Sequence, residues 1–391
     1  RRSPRRRRAG AALPLPGAHR YRLSPCHDGP VPTPTIDELR ALGLAAGLCA
    51  VGAASAEPFD EVRSELERRR DTGLAAEMQF TFRNPARSTD PDRTLPGAAS
   101  LIVGAYDYQR TAPPMPADVP VARVAAYSWE DHYAVLRAAL EPIAEALRNA
   151  GHRATVIADQ NHLVDRAAAH RAGIGWWGKS SNILVPGIGS LVVLGAVITD
   201  ASIEPDHEST VADGCRTCTA CLDGCPTGAI IEPGVIDARR CLAWLVQAEG
   251  MFPVEYREAL GDRIYGCDDC QDVCPPNKIR MRRPSPAGAD EAWVDVLSVL
   301  DADDDELLAR LGRWYIPHRD PDYLRRNALL VLGNVARPTP TVVAVVERYL
   351  RHPTAMLRAH AVWVARRLGV VLPDDLATDE SLEVRNEVAR A

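Results

Sequence analysis

Cys215, Cys218, Cys221 and Cys225, followed by Pro226, reproduce the spacing C-x2-C-x2-C-x3-C-P. In that pattern a tight loop offers three thiolates to one iron-sulfur cluster and sends its fourth cysteine to another. A second run, Cys267, Cys270 and Cys274 before Pro275, repeats the ending, and Cys241 lies between the two. Together they supply eight thiolates, the number that two 4Fe-4S clusters need. The spacing rule assigns Cys215, Cys218, Cys221 and Cys274 to one cluster and Cys225, Cys241, Cys267 and Cys270 to the other. Zinc, which short C-x2-C pairs can also hold, would leave several of these thiols idle. A disulfide framework suits a short secreted chain rather than one of 391 residues. The chain is therefore built to move electrons. Cys26 and Cys49 fall outside both runs and read as ordinary thiols.

With 46% hydrophobic and 25% charged residues, the chain has the make-up of a globular protein with room for two or three domains. Apolar stretches such as Ser190 to Thr199 fall short of the roughly 18 residues a spanning helix needs, so no membrane partner is expected. The net charge of -6 excludes a uniformly basic coat, and any polyanion partner must be sought locally. Only Lys179 and Lys278 are lysines, which marks the arginine richness as coding bias. Arg1, Arg2 and Arg5 to Arg8 open a Pro-rich segment that reads as a disordered leader over residues 1–34, and with Met78 the first methionine a misplaced translation start is the alternative reading of it. A twin-arginine signal fails because Ala9 to Pro16 is too short and proline-broken to be its apolar region, so a cytoplasmic location is expected.

Thr35 reads as the N-cap of a helix with Leu39, Leu42 and Ala46 at helical spacing. Strands over Ser100 to Ala105, Ala154 to Ile157 and Leu191 to Thr199 then alternate with helices over Asp131 to Ala150 and Leu163 to Ala172. This pattern predicts an α/β domain over 35–205, followed by a ferredoxin-like two-cluster domain over 206–283. Past Pro284 to Pro286, a helical domain over 290–391 carries a weak repeat beginning at Arg325, Arg358 and Arg385, near the period of helical-pair arrays. Between Arg313 and Gly369, ten arginines face Asp320, Asp322 and Glu347, a local charge of +7. That contrast points to a polyanion partner, and a solvated helical face is the plainer reading beside it.

Gly173 to Ser180 matches both G-x-G-x-x-G and G-x-x-x-x-G-K-[ST]. A phosphate-cradling loop must leave a strand and open a helix, because the helix N-terminus supplies the donors that hold the anion. Here the loop leaves a helix and leads to a strand, so a nucleotide site is rejected. The glycines are expected to let backbone approach something large and flat beside Trp176 and Trp177.

Several strings in one order resemble the epoxyqueuosine reductase family from about Thr35 to the C-terminus. They are Asp90-Pro91, Leu95-Pro96-Gly97-Ala98, Ala172 to Lys179, Cys225-Pro226-Thr227-Gly228-Ala229-Ile230, Ala238-Arg239-Arg240-Cys241, Tyr265 to Pro275, Arg326-Asn327-Ala328 and Leu332-Gly333-Asn334. The resemblance implies that the chain reduces epoxyqueuosine to queuosine at the wobble position of tRNA, as the last step in making that base. It implies reduced cobalamin bound in the α/β domain and fed by the two clusters, an unidentified electron donor, a monomer, and HEAT-like helical repeats that bind tRNA. Asp131 matches the family's proton donor; read from the residues alone it is a helix N-cap. Glu130-Asp131-His132-Tyr133 inverts the usual Asp-Tyr-His order, His162 stands where the family usually has proline, and Pro276 replaces a common tryptophan. Family likeness also places cobalamin near Phe80, Asp107, Asp131, Lys179 and Ser180, and tRNA near Arg239, Arg240, Arg325, Arg326 and Arg358. A related corrinoid reductase acting on a small molecule, of the reductive dehalogenase kind, is the alternative.

Overall fold

The computed structural model describes residues 31–205, 211–288 and 290–390; the leader up to residue 30, with Cys26, lies outside the described residues. The first helix, Ile36–Ala45, starts with a capping box: the Thr35 hydroxyl accepts from Glu38 N, and the Glu38 carboxylate accepts from Thr35 N at 2.8 Å. Four strands follow, ordered in space Ala50–Ser55, Ser100–Asp107, Val192–Thr199 and Ala154–Ala158. Every neighbouring pair is antiparallel, with Ser55 opposite Ser100 and Ser100 opposite Thr199. The two middle strands are apolar on both sides because helices cover both faces. His132–Asn149 lays Leu136, Leu140, Ile143 and Leu147 on one face, and Asp165–Arg171 lays Ala167, Ala168 and Ala169 on the other. Burial on both faces thus sets the continuous apolar pattern, whatever the strand direction.

The segments bounded at 205 and 283 do not pack as separate bodies. Val121–Val124 is the middle strand of a second sheet, parallel to Arg263–Tyr265 and antiparallel to Trp293–Asp295, so each segment contributes one strand. One core runs from Ala122, Val124 and Trp129 through Leu245, Phe252 and Ile264 to Leu329, Val346 and Val362.

At the C-terminal end, Asp322–Val335, Pro340–Tyr349 and Leu382–Ala389 all pack against Ala355–Leu368. Here the expected arginine surface is corrected. Arg326 is fully buried, donating to the carbonyls of Ala248, Gly250, Leu245 and Val246 at 2.7 to 3.4 Å. Arg325 is buried against Asp304, Asp322 and the Ala302 carbonyl. Arg358 is buried too, with Nε and Nη2 on Asp379 at 2.9 Å and Nη1 on the carbonyls of His352 and Pro353 at 2.8 Å. These three bind protein groups and are not a phosphate-facing patch. Sequence composition counts charge without direction, and helix packing turned these guanidinium groups inward. Among the described residues no helix is long and apolar enough to cross a membrane.

Candidate functional site

The seven cysteines of the two runs and Cys241 fall into two electrostatically coupled groups. Burial pushes the Cys274 thiol up to about 11, and Cys215, Cys221 and Cys218 add to that shift as near neighbours. Cys221 is raised by burial and then by Cys215 and Cys218. In the second group Cys241 is raised by burial and by Cys225, and Cys270 by burial, Cys267 and Cys241. Cys221 also reaches Cys270, which makes it a link between the groups. Among the described residues no three His, Cys, Asp or Glu side chains converge on a single-ion position.

Local structure holds these loops by backbone bonds. The Cys215 carbonyl accepts from Cys218 N at 2.8 Å, and the Cys225 sulfur accepts from Ala229 N at 3.2 Å. Lys179 Nζ donates to the carbonyls of Arg216 and Cys218 at 2.7 and 2.9 Å. The rejected nucleotide motif therefore serves the cluster loop, and its lysine is spent on carbonyls. The motif leaves the helix Asp165–Arg171 and forms a hairpin, Trp176–Trp177 against Ile183–Leu184. A Cβ at Gly175 would sit 2.4 Å from Leu184 O, and one at Gly178 would sit 2.3 Å from Leu184 Cδ1. These glycines admit the hairpin's own partner strand, which corrects the expectation of a flat ligand there. The Trp176 ring packs against Gly214, at the edge of the first cysteine loop.

Near the second thiol group, Tyr133, Asp159 and Asp165 lie within electrostatic reach of one another. Asp165 and Tyr133 are half-buried and Asp159 is exposed, yet crowding by protein raises all three above their usual range. Groups that keep contact with solvent while losing much of their hydration mark a recess, which we infer here. Burial pushes the Asp165 carboxyl up to about 8, and its Oδ1 is buried without a partner. Asp159 adopts a left-handed backbone at φ 54°, a conformation aspartate tolerates better than most residues. Arg166 joins the recess to the clusters, since its charge reaches both Tyr133 and Cys241. The sequence reading missed Asp165 and Asp159; an acid in the first turn of a helix looks like dipole compensation until its burial is known.

Asp131 caps the helix His132–Asn149, accepting from Ala134 N at 2.8 Å, and lies 3.9 Å from Arg137 Nη2. It is exposed and within electrostatic reach of Asp159, so it stands at the rim of the recess. Of the other predicted contacts, Ser180 is buried in the hairpin loop and Phe80 is 51% exposed. Asp107 is taken by Arg280 at 2.8 Å, which ties the second strand to the helix after Cys274. Arg239 is exposed and holds Asp237 with Nε and Nη2, both at 2.8 Å; Arg240 is half-buried, with its Nε unpartnered.

Residues 214–277 match the 4Fe-4S double cluster binding domain model. Over 342 residues the chain is 34% identical to an epoxyqueuosine reductase of Bacillus cereus, covering 83% of this chain and 86% of that one. It is 31% identical to the epoxyqueuosine reductase of Bacillus subtilis, with 89% and 90% covered. A crystal structure of epoxyqueuosine reductase with an epoxyqueuosine-modified tRNA-Tyr stem loop superposes with TM-score 0.80 at 29% identity, over 90% of this chain and 96% of that one. A Bacillus subtilis structure whose catalytic aspartate loop is swung out of the active site superposes with TM-score 0.78 at 28% identity, over the same shares.

Proposed function

Since this chain belongs to the epoxyqueuosine reductase family, we propose that it reduces epoxyqueuosine to queuosine at the wobble position of tRNA. Two electrons and two protons convert the epoxide to an alkene, and its oxygen leaves as water. The observation that carries this reading is the coupling of eight thiols in two groups, with the acids Asp131, Asp159 and Asp165 in mutual reach close by. The cluster ligands proposed are Cys215, Cys218, Cys221 and Cys274 for one 4Fe-4S cluster and Cys225, Cys241, Cys267 and Cys270 for the other; the mutual perturbation of the thiols supports this division. The relatives matched over most of the chain favour this function over that of a small-molecule corrinoid reductase.

Cobalamin presents a ring rimmed with neutral amides. The recess offers carboxylates and a phenol, and the unpartnered Asp165 Oδ1 is an acceptor that an amide N–H would satisfy, so the residues present fit such a group. When bound, cobalamin in a reduced cobalt state supplies the electrons that reach the epoxide. Phe80, Asp107, Asp131, Lys179 and Ser180 are the residues proposed to hold it, Asp107 and Lys179 through the segments they fasten.

Opening the epoxide leaves an oxyanion that must be protonated, and Asp131 is the proposed donor. The short segment from Trp129 to Asp131 is taken as the counterpart of the loop seen displaced in the Bacillus subtilis protein. Arg239 and Arg240 are placed at the tRNA-facing mouth, and the stacked C-terminal helices, read as HEAT-like repeats, are the support beside it. The working form is a cytoplasmic monomer supplied by a separate electron donor. Asp131→Asn keeps the helix cap but removes the acidic proton. The variant is expected to fold with unchanged stability and to lose about 100-fold or more in turnover of epoxyqueuosine tRNA. Full turnover by Asp131→Asn would remove Asp131 from the chemistry.

A further inference from the structure

The two residues before Asp131 are held from the helical end of the chain. Arg313 donates from Nη1 to the Glu130 carbonyl at 3.1 Å and from Nη2 to the Trp129 carbonyl at 3.2 Å. A planar guanidinium that addresses two successive carbonyls sets the orientation of the peptide between them as well as its position. An exposed arginine ordinarily meets a carboxylate or a phosphate. This one spends two donors on the backbone of the segment that carries the acid.

Both ends of the contact are anchored. Trp129 is buried, and its indole N–H donates to the Val124 carbonyl at 2.8 Å. Next to Arg313, the buried Trp314 stacks on Tyr265 with centroids 4.5 Å apart and planes 11° from parallel. Tyr315 N donates to the Tyr265 hydroxyl at 2.8 Å. Tyr265 stands two residues before Cys267, so the anchor of Arg313 is the shoulder of the second thiol group. From the α/β side, Arg110 Nε lies 3.8 Å from the Glu130 carboxylate. Between the buried Trp129 and the helix starting at His132 lie only Glu130, whose carbonyl also accepts from His132 N at 2.9 Å, and Asp131, which is tied to the helix as its cap. Arg313 itself remains exposed, so its grip is open to competition from solvent or from an arriving polyanion.

We propose that Arg313 is a positioning residue: a two-carbonyl latch that holds Asp131 at the rim of the recess and whose release lets the segment swing away. The inference rests on the reading of Asp131 as proton donor. Hydrogen exchange on the cluster-loaded protein tests the latch without reference to activity. In Arg313→Met the amides of residues 130–135 are expected to exchange about tenfold faster than in the unaltered protein, with the rest of the helix His132–Asn149 unchanged. Arg313→Lys, which can still reach one carbonyl, should fall between the two. Unchanged exchange in both variants would overturn the latch.

In turnover at saturating tRNA, Arg313→Met is expected to lower kcat about tenfold while the KM for tRNA stays within about twofold, as misplacement of a reacting group requires. A raised KM with unchanged kcat would make Arg313 a phosphate contact and would also overturn the proposal. An active Asp131→Asn would separately remove the donor assignment, because exchange reads the segment whether or not the acid is used.

Discussion

Arg326 carries its charge in the core with no carboxylate partner among the described residues, and burial lowers its pKa to about 10. Four backbone carbonyls between Leu245 and Gly250 accept hydrogen bonds from it, while Tyr323 lies under the guanidinium at 5.3 Å. Its neighbour Asn327 donates to the carbonyls of Val246 and Ile264, and Asn334 to those of Arg257 and Gly261. The strings Arg326-Asn327-Ala328 and Leu332-Gly333-Asn334 thus brace the cluster region from behind. Arg326→Met should cost about 3 kcal/mol of stability by stranding those carbonyls, and leave the salt dependence of tRNA binding unaltered. A flattened salt slope with unchanged stability would return Arg326 to the tRNA surface. Asp165 gives a second prediction at this scale. Its folded pKa of about 8 lies above the roughly 3.9 of an unfolded chain, so between these values the folded protein keeps a proton that the unfolded chain has lost. Stability from this group therefore falls as pH rises through the window and is flat above it. Asp165→Asn should be more stable than the unaltered protein by about 1–3 kcal/mol at pH 8.5, with a clearly smaller gain at pH 5. Equal gains in denaturant melts at both pH values would contradict the burial of this acid.

Among the elements, the hairpin Trp176–Trp177 with Ile183–Leu184 shows what a motif acquires from its context. The order of helix, turn and strand was legible and was enough to refuse a nucleotide. The destination of Lys179 was not, because a bond from residue 179 to residues 216 and 218 spans the chain and leaves no local pattern. Lys179→Met should leave the hairpin folded and loosen the first cysteine loop. Iron content and the visible absorbance of the cluster should then fall faster in air than in the unaltered protein; equal decay would mean that the cysteines alone hold the loop. Periodicity and caps fared well where contacts are local: the Thr35 N-cap, the long helix, which starts at His132 with Asp131 as its cap, and the strand ending at Thr199 lie where the sequence put them to within a residue. The strand Ala50–Ser55 escaped because a short run of small residues gives no strong period.

At the scale of the whole molecule, the three segments interlock. The sheet of Val121–Val124, Arg263–Tyr265 and Trp293–Asp295 takes one strand from each, and Arg257 pairs with Glu387 deep inside at 2.7 Å. The electron-carrying loops therefore sit on a frame shared with the recess and with the C-terminal helices, which is how Arg313 can reach the Asp131 segment. The cysteine spacing made the clusters legible from sequence, since ligand spacing is a local property. The recess was not legible, because Tyr133, Asp159 and Asp165 meet only after the sheet and both covering helices are in place. The central claim, that this assembly reduces epoxyqueuosine in tRNA, is tested most directly by mass spectrometry of tRNA nucleosides from a strain lacking the encoding gene, with and without the gene restored. The expected result is accumulation of epoxyqueuosine with loss of queuosine, reversed by the restored gene. Normal queuosine and no epoxyqueuosine in the deletion strain would contradict the account.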